Sequence, residues 1–344
     1  MRPVRVLFFG LVAVSAVCAA ACGGGAAAAT SVDLHGAGAS FPYPLYDRWF
    51  KDYVSSHPNT TVDYQSVGSG AGVTQFTNKT VDFGASDAAM TDDEIAKVDR
   101  GVQMIPMTAG SIVLSYNLPD LNAPLRLSRK TYSGIFLGKI TKWNDPALAA
   151  DNPGAKLPAM AITLVHRADS SGTTFNMTQH LSAISPEWAA GPGTSKAPNW
   201  PAGIGSKGNE GVTSTLQQTP GAIGYVEYGY AKQSKLTMAA LENKAGKFVE
   251  PNTASGQAAL GGAELPENMR VFLPDPAGAD AYPVVTYTWL LLYKNSDKPA
   301  STAAIKDIVK YCLTDGQKVS EEMGYIPLPQ SVVAADLKAL DNIR

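Results

Sequence analysis

The sequence predicts an α/β protein of two lobes joined by two chain crossings, and three observations carry that expectation. First, short apolar runs with strand character are each followed by a turn rich in Gly, Ser or Asp and then by apolar residues at helical spacing. Second, two strongly β-prone runs, 111–116 and 286–293, lie far apart and bracket the segment that contains Arg167. A chain that leaves one domain near Thr108 and returns near Val285 builds two lobes crossed twice, which sets the boundaries at 32–108 with 286–344 for the first lobe and 109–285 for the second. Third, 344 residues with 45% hydrophobic and 17% charged content are enough for two ordinary globular cores.

The first 21 residues stand apart. Arg2 and Arg5 form a basic start, and 6–21 is almost wholly apolar, too short for a comfortable membrane span and the right size for a signal peptide. Cys22 follows Ala19-Ala20-Ala21 and precedes three glycines and an alanine run. Small residues before a Cys and a flexible tether after it, at 22–31, resemble a bacterial lipoprotein processing site. The expectation is an exported protein, in the periplasm or on the outer face of the cytoplasmic membrane, anchored through a lipidated Cys22; cleavage within the alanine run to give a free protein is the alternative.

Loss of the leader discards Cys18 and uses Cys22, so Cys312 stands alone in the folded part, on one helix face with Ile305, Ile308, Val309 and Leu313. Its expected place is the core. Removing Arg2 and Arg5 takes the net charge from −2 to −4. An acidic protein cannot hold an anion by global attraction and must build the site from local donors and helix ends. With no basic stripe or cluster, nucleic acid is not an expected partner.

Taken in order, the chain starts a strand at Val32, passes through G-A-G-A-S-F-P, and enters an amphipathic helix marked by Tyr46, Trp49, Phe50, Tyr53 and Val54, with Ser40 at its start. A strand at 62–67 leads through Gly68-Ser69-Gly70-Ala71-Gly72 to a helix beginning near Val73. That turn lacks the Lys of a nucleotide-triphosphate loop, and no acidic residue completes a dinucleotide fingerprint. A strand at 81–85 ends in Ser86-Asp87, and the capping box Thr91 to Glu94 starts the next helix at Asp92, which leaves Asp87 at the carboxyl end of its strand. The segment H-R-A-D-S-S-G-T-T, 166–174, lies between an apolar run and a helix marked by Thr174, Met177, Leu181 and Ile184. At such a turn the first helical N–H groups lack intrahelical partners and the peptide dipoles leave partial positive charge, so an anion fits there. Ser171 and Thr173 add hydroxyl donors, Arg167 a planar fork of donors, and Asp169 can brace the guanidinium. Further on, Lys207-Gly208-Asn209-Glu210-Gly211 opens another helix, 220–226 leads into a strand, 236–280 is rich in turns, and two helices at 303–313 and 332–340 close the chain.

Five of these stretches together, G-A-G-A-S-F-P at 36–42, V-G-S-G-A-G-V at 67–73, V-D-F-G-A-S-D at 81–87, R-A-D-S-S-G-T at 167–173 and P-G-A-I-G-Y-V-E-Y at 220–228, resemble the phosphate-binding proteins of bacterial ABC-type phosphate transporters. The likeness spans about 34–333 in family order, with 236–280 poorly matched. It implies a type II periplasmic-binding-protein fold, with inorganic phosphate held between the lobes of a monomer and delivered to the membrane permease subunits. Carried over by position, Ser40, the N–H of Phe41, Ser69 and Asp87 would bind from the first lobe. Arg167, Ser171, the N–H of Gly172 and Thr173 would bind from the second, with Asp169 holding Arg167. Ser40 stands where Thr is also common, and Ser170 where Gly is common.

The resemblance implies neither cofactor, metal nor catalysis. The enzyme alternative, a phosphatase using Ser171 with His166 or Asp169, lacks a G-x-S-x-G elbow, and the four histidines show no metal-ligand spacing. Another tetrahedral oxyanion, sulfate or molybdate, is the alternative ligand.

Overall fold

A fifteen-residue strand, Val102–Tyr116, has every residue buried and organises the sheet on both sides of itself. The computed structural model describes residues 31–121, 124–261 and 265–344. The expected leader, Cys22 and all but the last residue of the tether lie outside them.

The order of elements is β1 (Val32–Gly38), α1 (Tyr43–Ser56), β2 (Thr60–Ser66), α2 (Ser69–Thr77), β3 (Phe83–Ser86), α3 (Asp92–Ile95) and β4 (Val102–Tyr116). Then come β5 (Arg126–Leu127), α4 (Arg129–Phe136), α5 (Pro146–Asp151), β6 (Thr163–Arg167), α6 (Gly172–Ile184), α7 (Pro186–Ala190), β7 (Ile204–Ser206), α8 (Gly208–Gln218), β8 (Ala222–Glu227) and α9 (Tyr228–Gln233). The rest comprises β9 (Thr237–Met238), β10 (Ala240–Glu242), β11 (Phe248–Val249), α10 (Thr253–Leu260), β12 (Val285–Tyr293), α11 (Pro299–Leu313) and α12 (Gln330–Ala339).

The main sheet has the order β2-β1-β3-β12-β4-β8-β6-β7, with β9 added beside β4. The strands β1, β2 and β3 are parallel to one another, as are β6, β7 and β8, and the two sets meet through the antiparallel pair of β12 and β4. Register decides what the sheet can position. The end of β3, Ser86, is opposite Trp289, which is opposite Pro106; the end of β8, Glu227, is opposite Ile112. The carboxyl ends of both parallel sets therefore face each other over the middle of β4, and turns following strands of either set reach the same place.

The β4 and β12 ladder shifts register at this point: Thr288 pairs with Thr108 and Trp289 with Pro106, which leaves Met107 unpaired. Pro106 has no N–H to donate, so a bulge beside it sacrifices little of the ladder. The two β-prone runs read from the sequence are thus direct neighbours.

Helix α1 is shorter at its start than the sequence suggests. It begins at Tyr43, three residues after Ser40, because two prolines in the opening turn remove the N–H groups that would bond back to a cap at 40. Its buried face of Leu45, Tyr46, Trp49, Phe50 and Tyr53 packs on Tyr64 and Phe83 through edge-on ring contacts. The capping box at α3 is present as read, with Thr91 accepting from the Glu94 N–H. The turn-rich 236–280 region holds α10 and contributes β10 and β11 to a three-stranded sheet with β5. Cys312 lies fully buried on α11, as its helical pattern predicts, and burial pushes its thiol far up from its ordinary range.

One buried group works against the fold. Asp336, on the inner face of α12, is 0% exposed and neither carboxylate oxygen has a hydrogen-bond partner. Burial pushes its carboxyl up to about 8. The folded chain keeps that proton up to about pH 8 while an unfolded carboxyl releases it near 3.9, so this group stabilises at low pH and the contribution is lost as pH rises through that window. We predict that Asp336→Asn flattens the pH dependence of the unfolding free energy between pH 5 and 8 by up to about 1.4 kcal/mol per pH unit. Urea titrations of both proteins at several pH values read this directly; parallel profiles would refute it.

Candidate functional site

Each residue singled out in the sequence sits at one of the converging strand ends. Ser40 and Phe41 follow β1, Ser69 is the first residue of α2, and Asp87 follows β3. Arg167 ends β6, Ser171 caps α6, and Gly172 and Thr173 are its first two helical residues. All are buried, and hydrogen bonds join Ser69, Asp87, Thr173, Arg167 and, through Asn209, Ser40 in one polar network.

From the N-terminal side, the Ser69 hydroxyl accepts the Asp87 N–H at 3.2 Å and approaches Asp87 Oδ2 at 3.5 Å. Across from it, Thr173 Oγ1 reaches the same carboxylate oxygen at 3.4 Å. The close approach requires glycine at 172: a Cβ there would lie 2.5 Å from Ser69 Oγ and 2.8 Å from Asp87 Cβ. Neighbouring contacts tie the same segments together. Ser170 O accepts the Gly70 N–H at 2.9 Å, Asn176 Nδ2 donates to Asp87 O at 2.7 Å, and Ser66 Oγ donates to Glu210 Oε1 at 2.8 Å. At the surface, Lys196 pairs with Glu94 at 2.8 Å and Arg270 with Asp92 at 2.7 Å.

Arg167 is the cation. Its Nε and a terminal nitrogen donate to the two oxygens of Asp169 at 2.7 and 2.5 Å, a fork that fixes the plane of the guanidinium. The remaining terminal nitrogen points to Thr173 Oγ1 at 3.3 Å. Burial opposes the charge on Arg167, but the Asp169 carboxylate outweighs it and holds the guanidinium above its ordinary range. Burial likewise works against ionised Asp169, and the Arg167 bonds and the Gly208 N–H, at 3.0 Å, bring that carboxyl below its usual range.

Asp87 is the opposite case. Burial pushes its carboxyl up to about 7, only partly countered by the Thr288 hydroxyl at 2.9 Å, the Arg167 charge, Thr173 and Ser69. It is a hydrogen-bond acceptor without an ion-pair partner, set beside hydroxyl and N–H donors. A group that brings both negative charge to the donors and an O–H to Asp87 satisfies every member.

The phosphatase alternative finds no support in this geometry. Ser171 Oγ accepts the Thr174 N–H at 3.0 Å as helix cap. The His166 ring stacks on Trp200 with centroids 4.6 Å apart, its Nδ1 engaged with Arg167 O, so it is not presented to Ser171 as a base. Among the described residues no cluster of metal-ligating side chains occurs.

The sequence is similar to those of known proteins. The PBP superfamily domain matches residues 24–315. A phosphate-binding protein PstS of Pasteurella multocida is 45% identical over 303 residues, covering 87% of this chain and 87% of that one. The chain belongs to the PstS family. The family's Haemophilus influenzae member is 44% identical over 304 residues, 88% of this chain and 90% of its own. A solved phosphate-binding protein from Stenotrophomonas maltophilia superposes with a TM-score of 0.73 over 90% of this chain and 94% of that one, at 20% identity, which speaks for the α/β fold alone.

In this PstS-family chain several residues that sequence reasoning passed over support the site. Thr288 comes from β12, two hundred residues after Asp87, and Thr286 Oγ1 approaches Asp87 O at 3.3 Å. Asn209, in the first turn of α8, contacts Ser40 and Thr173. The glycine-flanked helix start at 207–211 was the available signal for Asn209; nothing local marks Thr288. Tyr225 on β8 braces Arg167: its hydroxyl accepts the Arg167 N–H at 3.0 Å and shares a 2.5 Å bond with Thr174 Oγ1.

Removing that hydroxyl strands two buried polar groups at once. Tyr225→Phe should lower the unfolding free energy by about 1–3 kcal/mol, the cost of leaving such groups unpaired. Denaturant titration measures it, and a change below about 0.5 kcal/mol, the scale of neutral surface substitutions, would show that the hydroxyl is not the brace.

Proposed function

We infer that the chain binds inorganic phosphate with high affinity outside the cytoplasm and delivers it to an ABC-type importer without chemical turnover. Membership of the PstS family supports this, and one observation in the site carries it: Asp87, an acceptor with no cation of its own, stands inside a set of anion donors. A carboxylate repels an anion unless the anion offers it a proton. Phosphate does so near neutral pH and sulfate does not.

In this reading Ser40, the Phe41 N–H, Ser69 and Asp87 hold phosphate from one side. Arg167, Ser171, the Gly172 N–H and Thr173 hold it from the other, and Asp169 fixes Arg167. The two sides belong to lobes 32–108 with 286–344 and 109–285, in a type II arrangement. What supports the division is that the β4 and β12 bulge at Thr108 and Thr288 falls near the expected crossings, where a sheet can bend. Closing the lobes completes the shell, and opening them releases the ligand to the permease subunits. The protein acts as a monomer held at the membrane by a lipidated Cys22, for which the small residues before that cysteine are the support.

Calorimetric titration of the ligand-stripped protein with phosphate, sulfate, arsenate and molybdate tests the ligand. One phosphate per chain, bound far more tightly than sulfate, is expected; preference for sulfate or molybdate would overturn the reading. Arg167→Ala leaves a buried anion without its counter-charge and should cost roughly 3–5 kcal/mol of phosphate binding. Retention within about tenfold, ~1.4 kcal/mol, would remove Arg167 from the site.

The pH dependence gives a second check. A sulfate in the site needs Asp87 protonated, and burial keeps that proton on up to about pH 7. Sulfate affinity is therefore retained at low pH and lost as pH rises through about 7, so the phosphate-to-sulfate ratio rises over that range. Asp87→Asn should flatten the rise, because the amide has no proton to lose. An unchanged ratio and slope in Asp87→Asn would assign discrimination to the donors alone.

A further inference from the structure

We propose that Asn209 is a positioning residue for the anion site, acting by fixing the direction in which the Ser40 hydroxyl donates. The inference rests on the phosphate-site reading above and assigns a role to a side chain outside its ligand set.

The amide of Asn209 is oriented by its own acceptor. Its Oδ1 takes the backbone N–H of Glu227 at 3.0 Å, which turns Nδ2 the other way. That nitrogen donates to Ser40 Oγ at 2.9 Å, and the backbone N–H of Asn209 donates to the same oxygen at 3.0 Å. A serine hydroxyl has two acceptor lone pairs and one O–H. With both lone pairs engaged by one residue, Ser40 has only its O–H left to offer. A hydroxyl that rotates freely can accept as well as donate, and it pays an ordering cost on binding; in the assembled site this one is committed as a donor. Asn209 Nδ2 also lies 3.3 Å from Thr173 Oγ1, which receives the Arg167 guanidinium at the same distance, so the second hydroxyl is biased the same way.

The support behind Asn209 is itself buried. Glu227, at the end of β8, is 0% exposed and accepts the Gly229 N–H at 2.8 Å and the Tyr230 N–H at 3.3 Å, while the Tyr230 hydroxyl donates to Ser40 O at 2.7 Å. Ser40 is thus gripped at its side chain by α8 and at its carbonyl by α9. Both helices lie in 109–285, whereas Ser40 lies in 32–108, so these bonds form only when the two segments meet. Asn209 couples the meeting of the segments to the arming of a ligand donor.

A double-mutant cycle separates this from a merely structural role. Phosphate affinity is measured by calorimetry for the native chain, Asn209→Ala, Ser40→Ala and the double variant, with Asn209→Leu as a second replacement that keeps the volume but has no donor. Asn209→Ala and Asn209→Leu should each weaken binding at least fivefold when Ser40 is present, and by less than twofold when Ser40 is Ala. A smaller loss with Ser40 present, or the same factor in both backgrounds, overturns the proposal. Thermal unfolding of the ligand-free proteins identifies any variant that fails to fold, and the other replacement then decides. If the native chain rejects phosphate but takes sulfate, arsenate or molybdate, the ligand assignment falls and the same cycle is read with that anion. Binding of none of the four overturns both readings.

Discussion

A guanidinium buried among protein atoms has to be answered by negative charge at contact distance, and the Arg167 fork imposes that demand on everything around it. Asp169 answers two of its nitrogens and the third is left toward the site. The partner must be well aligned, because the desolvation cost of such a pair is several kcal/mol per ion and only good geometry offsets it. Alignment in turn depends on Tyr225 gripping the Arg167 backbone and on the Gly208 N–H holding Asp169, and both are placed by the parallel set β6, β7 and β8. The strand-end turns of this set and the start of α8 together keep one charge dry and paired.

Asp87 complements that arrangement from the other parallel set. Its carboxyl is displaced upward by burial, whereas Asp169 holds the charge on Arg167 against the same burial, so the site has one committed cation and one reluctant anion. A donor shell alone would take any tetrahedral anion of the right size; adding an acceptor makes the ligand's own proton part of the fit.

Local chemistry in the sequence gave away the turns. Gly, Ser and Asp between a strand run and a helical pattern mark Ser40, Ser69, Asp87 and Ser171 because strand-to-helix turns need those residues for φ freedom and capping. The Thr91 to Glu94 box set the α3 start for the same reason. Two prolines misled at α1, where Ser40 reads as a helix start but is used by Asn209 instead. Thr288 and Tyr225 were not legible as site residues, since what brings them there is strand pairing over tens to hundreds of residues, and Asn209 was marked only by the glycine-flanked helix start around it. A threonine in the middle of an apolar β12 carries no mark of its own; only the β12 and β3 register shows that it lies beside Asp87.

Beside the bonds inside the site, two ion pairs link the segments at its edge. Glu94 with Lys196 and Asp92 with Arg270 are rim ion pairs, and pairs of that kind contribute about 0–1 kcal/mol each. Hydrogen bonds from Ser66 to Glu210 and from Asn176 to the Asp87 carbonyl add to them. If the segments close around phosphate as proposed, the charge shared by Arg167 and the strand-end donors adds to these contacts. On that proposal shape becomes a readout of occupancy: a receiving membrane complex that recognises the shut outline could tell a loaded carrier from an empty one without touching the ligand.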